Sequence, residues 1–522
     1  MLHTRGGPQA ASTGSPNITG WQDVPVRPLL DTSGVLRLRE ALASAGYTAP
    51  GIAERLGAAA TAQARRGDLR ETLRRTETGD RIATLIRLFV CGQTEPVAAV
   101  ESALAPLPLA DAVQAGLVEP VRCDGRLGVR AALVLEPYGD RWILSDLSAS
   151  LRPGRPLPAD HVLGLGAASA TLAGAVVRGS VGDALDLGTG CGVQALHLAD
   201  HADRVTATDI SERALRLAAT TAALNGLDWE LIQGDLTAPV RGRRFDLVVS
   251  NPPFVTGPGV TTHTYRDSGR AGDGVCAELA SAAPGLLRDG GTMQFLANWL
   301  HVTGQPWQDR VAGWLADTGL DAWVVQRDVS DPAGYVDLWL SDAAEDPTTR
   351  PARAAAWLDW FDANKVEGIG FGLITLRAGG HADPTVRLED LRQPLPSPLG
   401  PLVTAWFDRQ DWLRERPGAR LLEARFRTAP GLVLRQEATL GAAGWDVERQ
   451  VVAETTGLCW TQEVDPVAVA LISGCTGQLA LGTQLDLLAA ANQVERDLLA
   501  EVALPLVGQL VERGLLLPAG PD

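Results

Sequence analysis

Ala184-Leu-Asp-Leu-Gly-Thr-Gly-Cys-Gly192 is the stretch on which the reading of this 522-residue chain turns. An apolar run ends at Asp186, glycines alternate at 188, 190 and 192, and a helical pattern opens near Val193. Glycine lets a backbone turn sharply and approach a ligand closely. The first turn of a helix presents N–H groups that lack partners within the helix. In a parallel sheet such a loop lies at the carboxyl edge of its strand, where ligands bind. The spacing is G-x-G-x-G, whereas dinucleotide folds use G-x-G-x-x-G. Taken alone, the loop is either part of a cofactor site or a tight structural turn.

Working outward, short apolar runs at residues 184–187, 204–208, 230–233, 245–250, 292–297, 322–326 and 336–340 alternate with helical patterns. Alternation of this kind predicts a doubly wound α/β sheet. The second run closes in Val205-Thr-Ala-Thr-Asp-Ile210. There Asp209 is placed to accept from both hydroxyls of a ribose. The competing reading is a helix N-cap, a task that Ser211 can take instead. Gln233-Gly-Asp-Leu236 sets Asp235 after the third run, where it could accept from an adenine amino group. A loop aspartate is commonly just solvated, so this reading leans on the other two.

The fourth run continues into Asn251-Pro-Pro-Phe254. Two prolines stiffen the chain and carry no N–H, leaving the Asn251 and Pro252 carbonyls free to face a substrate. A flat NH2 group needs acceptors for both hydrogens if its lone pair is to meet an electrophile. The Asn251 side-chain oxygen and the Pro252 carbonyl would supply them, with Phe254 stacking on the acceptor's face. The bland alternative is a stiff loop after a strand. Four such elements in this order, each after a strand, weigh against it.

On these motifs, residues 184–340 resemble the class I S-adenosylmethionine-dependent methyltransferases, in the branch with an Asn-Pro-Pro-Phe/Tyr loop. That branch includes release-factor glutamine, ribosomal-RNA guanine-N2 and adenine-N6 methyltransferases. The resemblance covers about a third of the chain and implies a Rossmann-like seven-stranded sheet, S-adenosyl-L-methionine as cofactor, and methylation of a planar nitrogen. By position it assigns Asp186, Gly188, Thr189, Gly190, Gly192, Asp209, Ile210, Asp235, Leu236 and Asn251 to the cofactor. Catalysis falls to Asn251, Pro252, Pro253 and Phe254. The Gly-rich stretch Thr262-His-Thr-Tyr-Arg-Asp-Ser-Gly-Arg-Ala-Gly-Asp-Gly274 looks like the one after the loop in glutamine methyltransferases. It lacks their Glu-Pro phrase, and Phe254 stands where they favour tyrosine. Tyr265, Arg266 and Asp273 are the candidate substrate contacts, with bland loop residues as the alternative. His263 reads as structural, because an amine acceptor requires no base.

A formal net charge of −16 argues against coating nucleic acid through bulk electrostatics, though a local basic patch remains compatible. Six cysteines without a C-x-x-C pair suggest neither a zinc site nor a disulfide framework and fit a reducing compartment. The first residues carry no signal-peptide pattern. The uncharged stretch 162–177 is too short to span a bilayer and reads as a buried helix. A cytoplasmic protein with no membrane or metal partner is the expectation. Residues 1–25 read as a disordered lead-in. Residues 26–150 read as a mainly helical domain ending in a hairpin around Pro137-Tyr-Gly-Asp140, winged-helix-like in pattern. Leu151-Arg-Pro-Gly-Arg-Pro-Leu-Pro158 reads as a boundary. Residues 159–345 are then the methyltransferase domain and 381–522 an α+β domain, again winged-helix-like around Val511-Glu-Arg-Gly-Leu515. Arg65, Arg66, Arg70, Arg74 and Arg75 are interleaved with Asp68, Glu71, Glu77 and Asp80, which favours a solvated helix over a nucleic-acid-binding face. Three acceptors stay open: an RNA base, an amide of a translation-associated protein, and a small-molecule amine. A non-catalytic scaffold is weakened by the intact motifs.

Overall fold

The computed structural model describes residues 26–520 except 124, 152–156, 343–346 and 443. The expected lead-in, 1–25, and most of the proline-rich boundary lie outside the described residues.

At the centre stands one large sheet. Its strands are β1 (Val181–Leu187), β2 (Ala202–Asp209), β3 (Trp229–Gln233), β4 (Phe245–Ser250), β5 (Leu287–Val302), β6 (Asp321–Ser330), β7 (Val366–Arg377) and β8 (Val386–Asp390). Their spatial order is β8-β6-β7-β5-β4-β1-β2-β3. β1 to β5 run parallel. β7 is antiparallel to both β5 and β6, and β8 lies parallel to β6. Leu185, Leu187, Leu247, Val248 and Val249 are all buried, the continuous apolar run expected of strands covered on both faces. Strand order reverses between β1 and β4, so the loops leaving these strands part and open a crevice at their carboxyl ends.

Two expectations are corrected here. The sheet has eight strands, not seven, and it continues past residue 345 to Asp390. The run at 336–340 belongs to helix Pro332–Asp342, in which Tyr335, Val336 and Leu340 are buried while Leu338 is 60% exposed. That is a helical face, not an alternating one. The stretch after 341 that looked irregular supplies β7 and β8. β7 is disguised by Gly368, Gly370 and Gly372, residues that weaken an isolated strand. They are required by close approach: a Cβ on Gly370 would stand 2.2 Å from Trp299 Nε1, and one on Gly372 2.1 Å from the Val325 carbonyl.

N-terminal to the sheet, helices Thr32–Ser44 and Ala49–Ala64 meet at the break in Thr48-Ala-Pro-Gly51, with Thr48 capping the second. The helical pattern over 70–91 is interrupted, forming Arg70–Arg75 and then Arg81–Leu85, which runs on into a π-helical turn. Arg70 pairs with Asp68 at 2.7 Å and Arg74 with Glu71 at 2.9 Å, a solvated ion-paired surface. Leu133–Tyr138 and Arg141–Asp146 form the hairpin. The buried helix read over 162–177 is confined to Ala167–Ala175. Towards the C-terminus, strands Arg425–Thr428, Thr476–Ala480 and Leu516–Ala519 make a small sheet beside helices Leu481–Asn492 and Arg496–Glu512. This flank docks on β6, where Trp323 stacks on Trp406 at 4.9 Å and 6°. Among the described residues, no helix is long and apolar enough to cross a membrane.

Candidate active site

From Leu187 the chain turns through Gly188 (φ +72°), Gly190 (φ +56°) and Gly192 (φ +90°), left-handed values cheap only for glycine. A Cβ at Gly192 would also lie 2.6 Å from the Trp229 ring. Four amides of this loop are taken up within the protein. Gly188 and Thr189 each donate to the Thr208 carbonyl at 2.9 Å, and Gly192 donates to the Thr189 carbonyl at 2.9 Å. Gly190 donates to Asp209 Oδ2 at 2.9 Å. The amides of Gly188, Thr189 and Gly190 thus lace the loop to β2, while among the described residues the N–H groups at the start of the following helix make no such bonds.

Asp186 lies beneath that loop and does not line the cleft. Its Oδ2 accepts from Thr189 Oγ1 at 2.6 Å and from the Ala195 amide at 3.0 Å. Its Oδ1 is buried without a hydrogen-bond partner among the described residues. Direct cofactor contact gives way to a supporting role, holding the loop to the following helix. Burial pushes its pKa to about 7. A carboxyl that keeps its proton longer folded than unfolded makes the fold lose stability as pH rises from 3.8 to about 7, with no further change above. Asp186→Asn should flatten that slope. The check is the urea midpoint of variant and parent at pH 5 and pH 7.5, the variant gaining relative stability at the higher pH.

Asp209 closes β2 on the cleft wall. Besides Gly190, it accepts from the Ser211 amide at 2.8 Å through Oδ1. Ser211 itself caps helix Glu212–Leu224, its hydroxyl accepting from Ala214, so Asp209 is not the cap. Burial raises the Asp209 pKa, opposed by the amides it receives. Each carboxylate oxygen keeps a further lone pair. Asp235 stands at the cleft edge and is ion-paired, receiving Arg270 Nη2 at 2.9 Å, while Arg270 also reaches Glu278. Leu236 holds φ +44°, a strained value for a branched side chain and of a kind concentrated at ligand sites.

Gly188, Thr189, Gly190, Asp209, Ile210, Asp235, Leu236 and Asn251 border one cleft, and Gly192, like Asp186, does not. Sequence reasoning missed Gln194 and His161. Gln194 donates through Nε2 to the Ser169 carbonyl at 2.8 Å, and its Oε1 is buried without a partner among the described residues. No local signal marks it, because it reads as one more polar position on a short helix. Asp209, Asp235 and this orphaned oxygen place acceptors around the cleft. It fits a ligand rich in N–H, O–H and positive charge, as a nucleoside sulfonium amino acid is.

The Asn251 side-chain amide makes no hydrogen bond among the described residues. Pro252 departs from expectation: its carbonyl accepts the Phe254 amide at 2.7 Å, leaving one lone pair. Phe254 is 6% exposed and packs against Phe371 (5.7 Å, 55°) and Trp339 (6.1 Å, 76°), so its ring is not offered to an acceptor. It turns inward because Phe254 bridges Asp267 and the Val255 amide donates to the Arg266 carbonyl at 3.2 Å. Arg266, 1% exposed, donates to the Trp339 carbonyl at 2.6 Å and pairs with Asp267. Asp273 is clamped by Arg310 at 2.6 and 2.7 Å and by the Leu300 amide at 3.0 Å. Both are braces, and the expectation that they touch substrate is corrected. Of the three candidates only Tyr265 lines the cleft, joined by Pro253 and Thr264.

One group of potential metal ligands lies close together among the described residues: Asp321, His381 and Asp411. Arg377 and Arg414 already bridge both carboxylates, so the group is a charge-balanced network joining β6 to helix Gly400–Arg414.

Residues 164–304 match the methyltransferase small domain. Residues 44–132 and 404–518 each match a family described as a domain of unknown function. The ribosomal RNA small subunit methyltransferase C of Salmonella arizonae is 32% identical over 176 residues, 33% of this chain and 47% of that protein. The release factor glutamine methyltransferase of Deinococcus radiodurans is 36% identical over 148 residues, 26% of this chain and 53% of that one. The chain spans about half the length of these curated relatives. The T. thermophilus 16S rRNA N2 G1207 methyltransferase, solved in complex with AdoMet and guanosine, aligns with a TM-score of 0.24 and 19% identity over 40% of this chain and 56% of that one.

Proposed function

We propose that this chain, whose residues 164–304 form an S-adenosylmethionine-dependent methyltransferase domain, methylates a planar exocyclic amine or amide on a macromolecule. The observation that carries the reading is the convergence of the 188–191 loop, Asp209, Asp235 and Asn251 on one cleft at the strand-order reversal. The named substrates of the relatives, ribosomal RNA and a release factor, favour a macromolecular acceptor.

Asp209 takes the ribose hydroxyls, Asp235 the adenine amino group, and Gln194 Oε1 a donor at the amino-acid end of the cofactor. Bound there, S-adenosylmethionine supplies a methyl group on a cationic sulfur, an electrophile that needs no further activation. Asn251 Oδ1 and the remaining lone pair of the Pro252 carbonyl accept the two hydrogens of the acceptor nitrogen. Its lone pair is then directed into the cleft. These residues contribute orientation, worth roughly 7–11 kcal/mol at most. The test is incubation with methyl-labelled S-adenosylmethionine and fractionated lysate. Label in RNA or protein supports the reading and distinguishes the two. Label confined to small molecules overturns the macromolecular part, and no transfer despite cofactor binding overturns methylation.

A further inference from the structure

We propose that the flat face of the methyl acceptor rests on Tyr265 and that His161 holds that ring in place, making the strap of residues 157–165 part of the acceptor site. The inference rests on the methyltransferase reading and adds to it the surface that fixes the acceptor's plane.

Hydrogen bonds to its two hydrogens orient a planar NH2 group in its own plane, and an aromatic face against the attached flat system holds that plane further. Phe254 is buried and unable to do so. Among the residues bordering the cleft, the aromatic rings are Tyr265 and His161. Tyr265 sits beside the catalytic turn, because residues 254–255 pair with 266–267. Its ring is fixed from several directions. His161 meets it edge-on at 5.6 Å and 70°, His263 tilts against it at 5.7 Å, and its hydroxyl donates to Asp342 Oδ2 at 3.4 Å.

His161 is itself held. It is 3% exposed, and its Nδ1 lies 3.7 Å from Asp146 Oδ2 on the N-terminal hairpin. The strap carrying it is tied on both sides. Val162 is bonded twice to Asp146, its carbonyl accepting from the Asp146 amide at 3.0 Å and its amide donating to the Asp146 carboxylate at 2.9 Å. On the other side the Thr264 amide donates to the Ala159 carbonyl at 3.0 Å, and Cys191 Sγ donates to the Leu163 carbonyl at 3.2 Å. The strap thus connects the N-terminal flank, the cofactor loop and the segment bearing Tyr265. The N-terminal flank thereby shapes the acceptor site.

The test uses the full chain loaded with S-adenosylhomocysteine and measures binding of guanosine, adenosine and N-acetylglutamine amide by saturation-transfer NMR. Tyr265→Leu and His161→Leu should each weaken the probe that binds by about tenfold. Tyr265→Phe, which keeps the ring, should restore binding to within about twofold of the parent. Affinity for S-adenosylhomocysteine by calorimetry and Tm should stay near parental values in both Tyr265 variants, which separates loss of the platform from loss of fold. Parental probe binding in Tyr265→Leu, no rescue by Tyr265→Phe, or no binding of any probe to the loaded parent overturns the proposal. Failure of the parent to bind S-adenosylhomocysteine would instead overturn the methyltransferase reading beneath it.

Discussion

Asn251→Ala lowers single-turnover methyl transfer by ~10²–10³-fold, the loss typical when one preorganised hydrogen-bonding group is removed from a reacting centre. Affinity for S-adenosylhomocysteine stays within about twofold of the parent by calorimetry. The size of the effect follows from how the two acceptors divide the work. The Pro252 carbonyl already receives the Phe254 amide at 2.7 Å, so it meets a substrate hydrogen with a lone pair polarised by an existing bond. The Asn251 side chain has no such competitor among the described residues, and it carries the larger share of orientation. Asn251→Asp separates acceptor from donor roles. A carboxylate retains the oxygen but has no N–H, so appreciable activity in the Asp variant with almost none in the Ala variant assigns the acceptor role. Equal loss in both means that the amide N–H matters, and the proposed orientation would have to be reversed. Normal transfer in Asn251→Ala would remove the turn from the chemistry altogether.

Legibility in the sequence followed the range of the forces involved. The glycines at 188, 190 and 192 and the prolines at 252 and 253 mark backbone conformations that neighbouring residues dictate, so their loops could be read directly. β1 to β6 announced themselves as apolar runs. β7 did not, because its glycines answer to Trp299 and to the Val325 carbonyl on adjacent strands rather than to strand propensity. The run at 336–340 holds four apolar residues in five, and a short window cannot distinguish helix from strand there. The side chains of the site were less legible than its backbone. Arg266 and Asp273 look like open loop residues until Trp339 and Arg310, distant in sequence, fold over them. Phe254 occupies a motif position, but tertiary pairing with 266–267 turns its ring inward. His161 belongs to a stretch with no motif at all, and only the hydrogen bonds of the strap bring it to the cleft.

Asp209→Ala should weaken S-adenosylhomocysteine binding by ~100-fold or more, since hydrogen bonds to a charged group are worth about 1.5–3 kcal/mol each and a ribose offers two hydroxyls. Part of the loss has a second origin. The same carboxylate fixes the Gly190 amide at 2.9 Å and the Ser211 amide at 2.8 Å, so removing it frees the glycine turn and the start of the next loop together. Asp209→Asn divides the two contributions. Its amide oxygen can keep Gly190 in place while its NH2 can accept neither from a hydroxyl nor from the Ser211 amide, so the glycine turn survives while one ribose bond and the Ser211 bond go. An intermediate loss of about tenfold in the Asn variant, with Tm near the parent, places most of the binding energy in direct contact with the ligand. If Asp209→Asn binds as tightly as the parent while Asp209→Ala does not, the carboxylate works only by shaping the loop. Parental affinity in both variants would remove Asp209 from the cofactor site and leave the orphaned Gln194 oxygen and Asp235 to account for recognition.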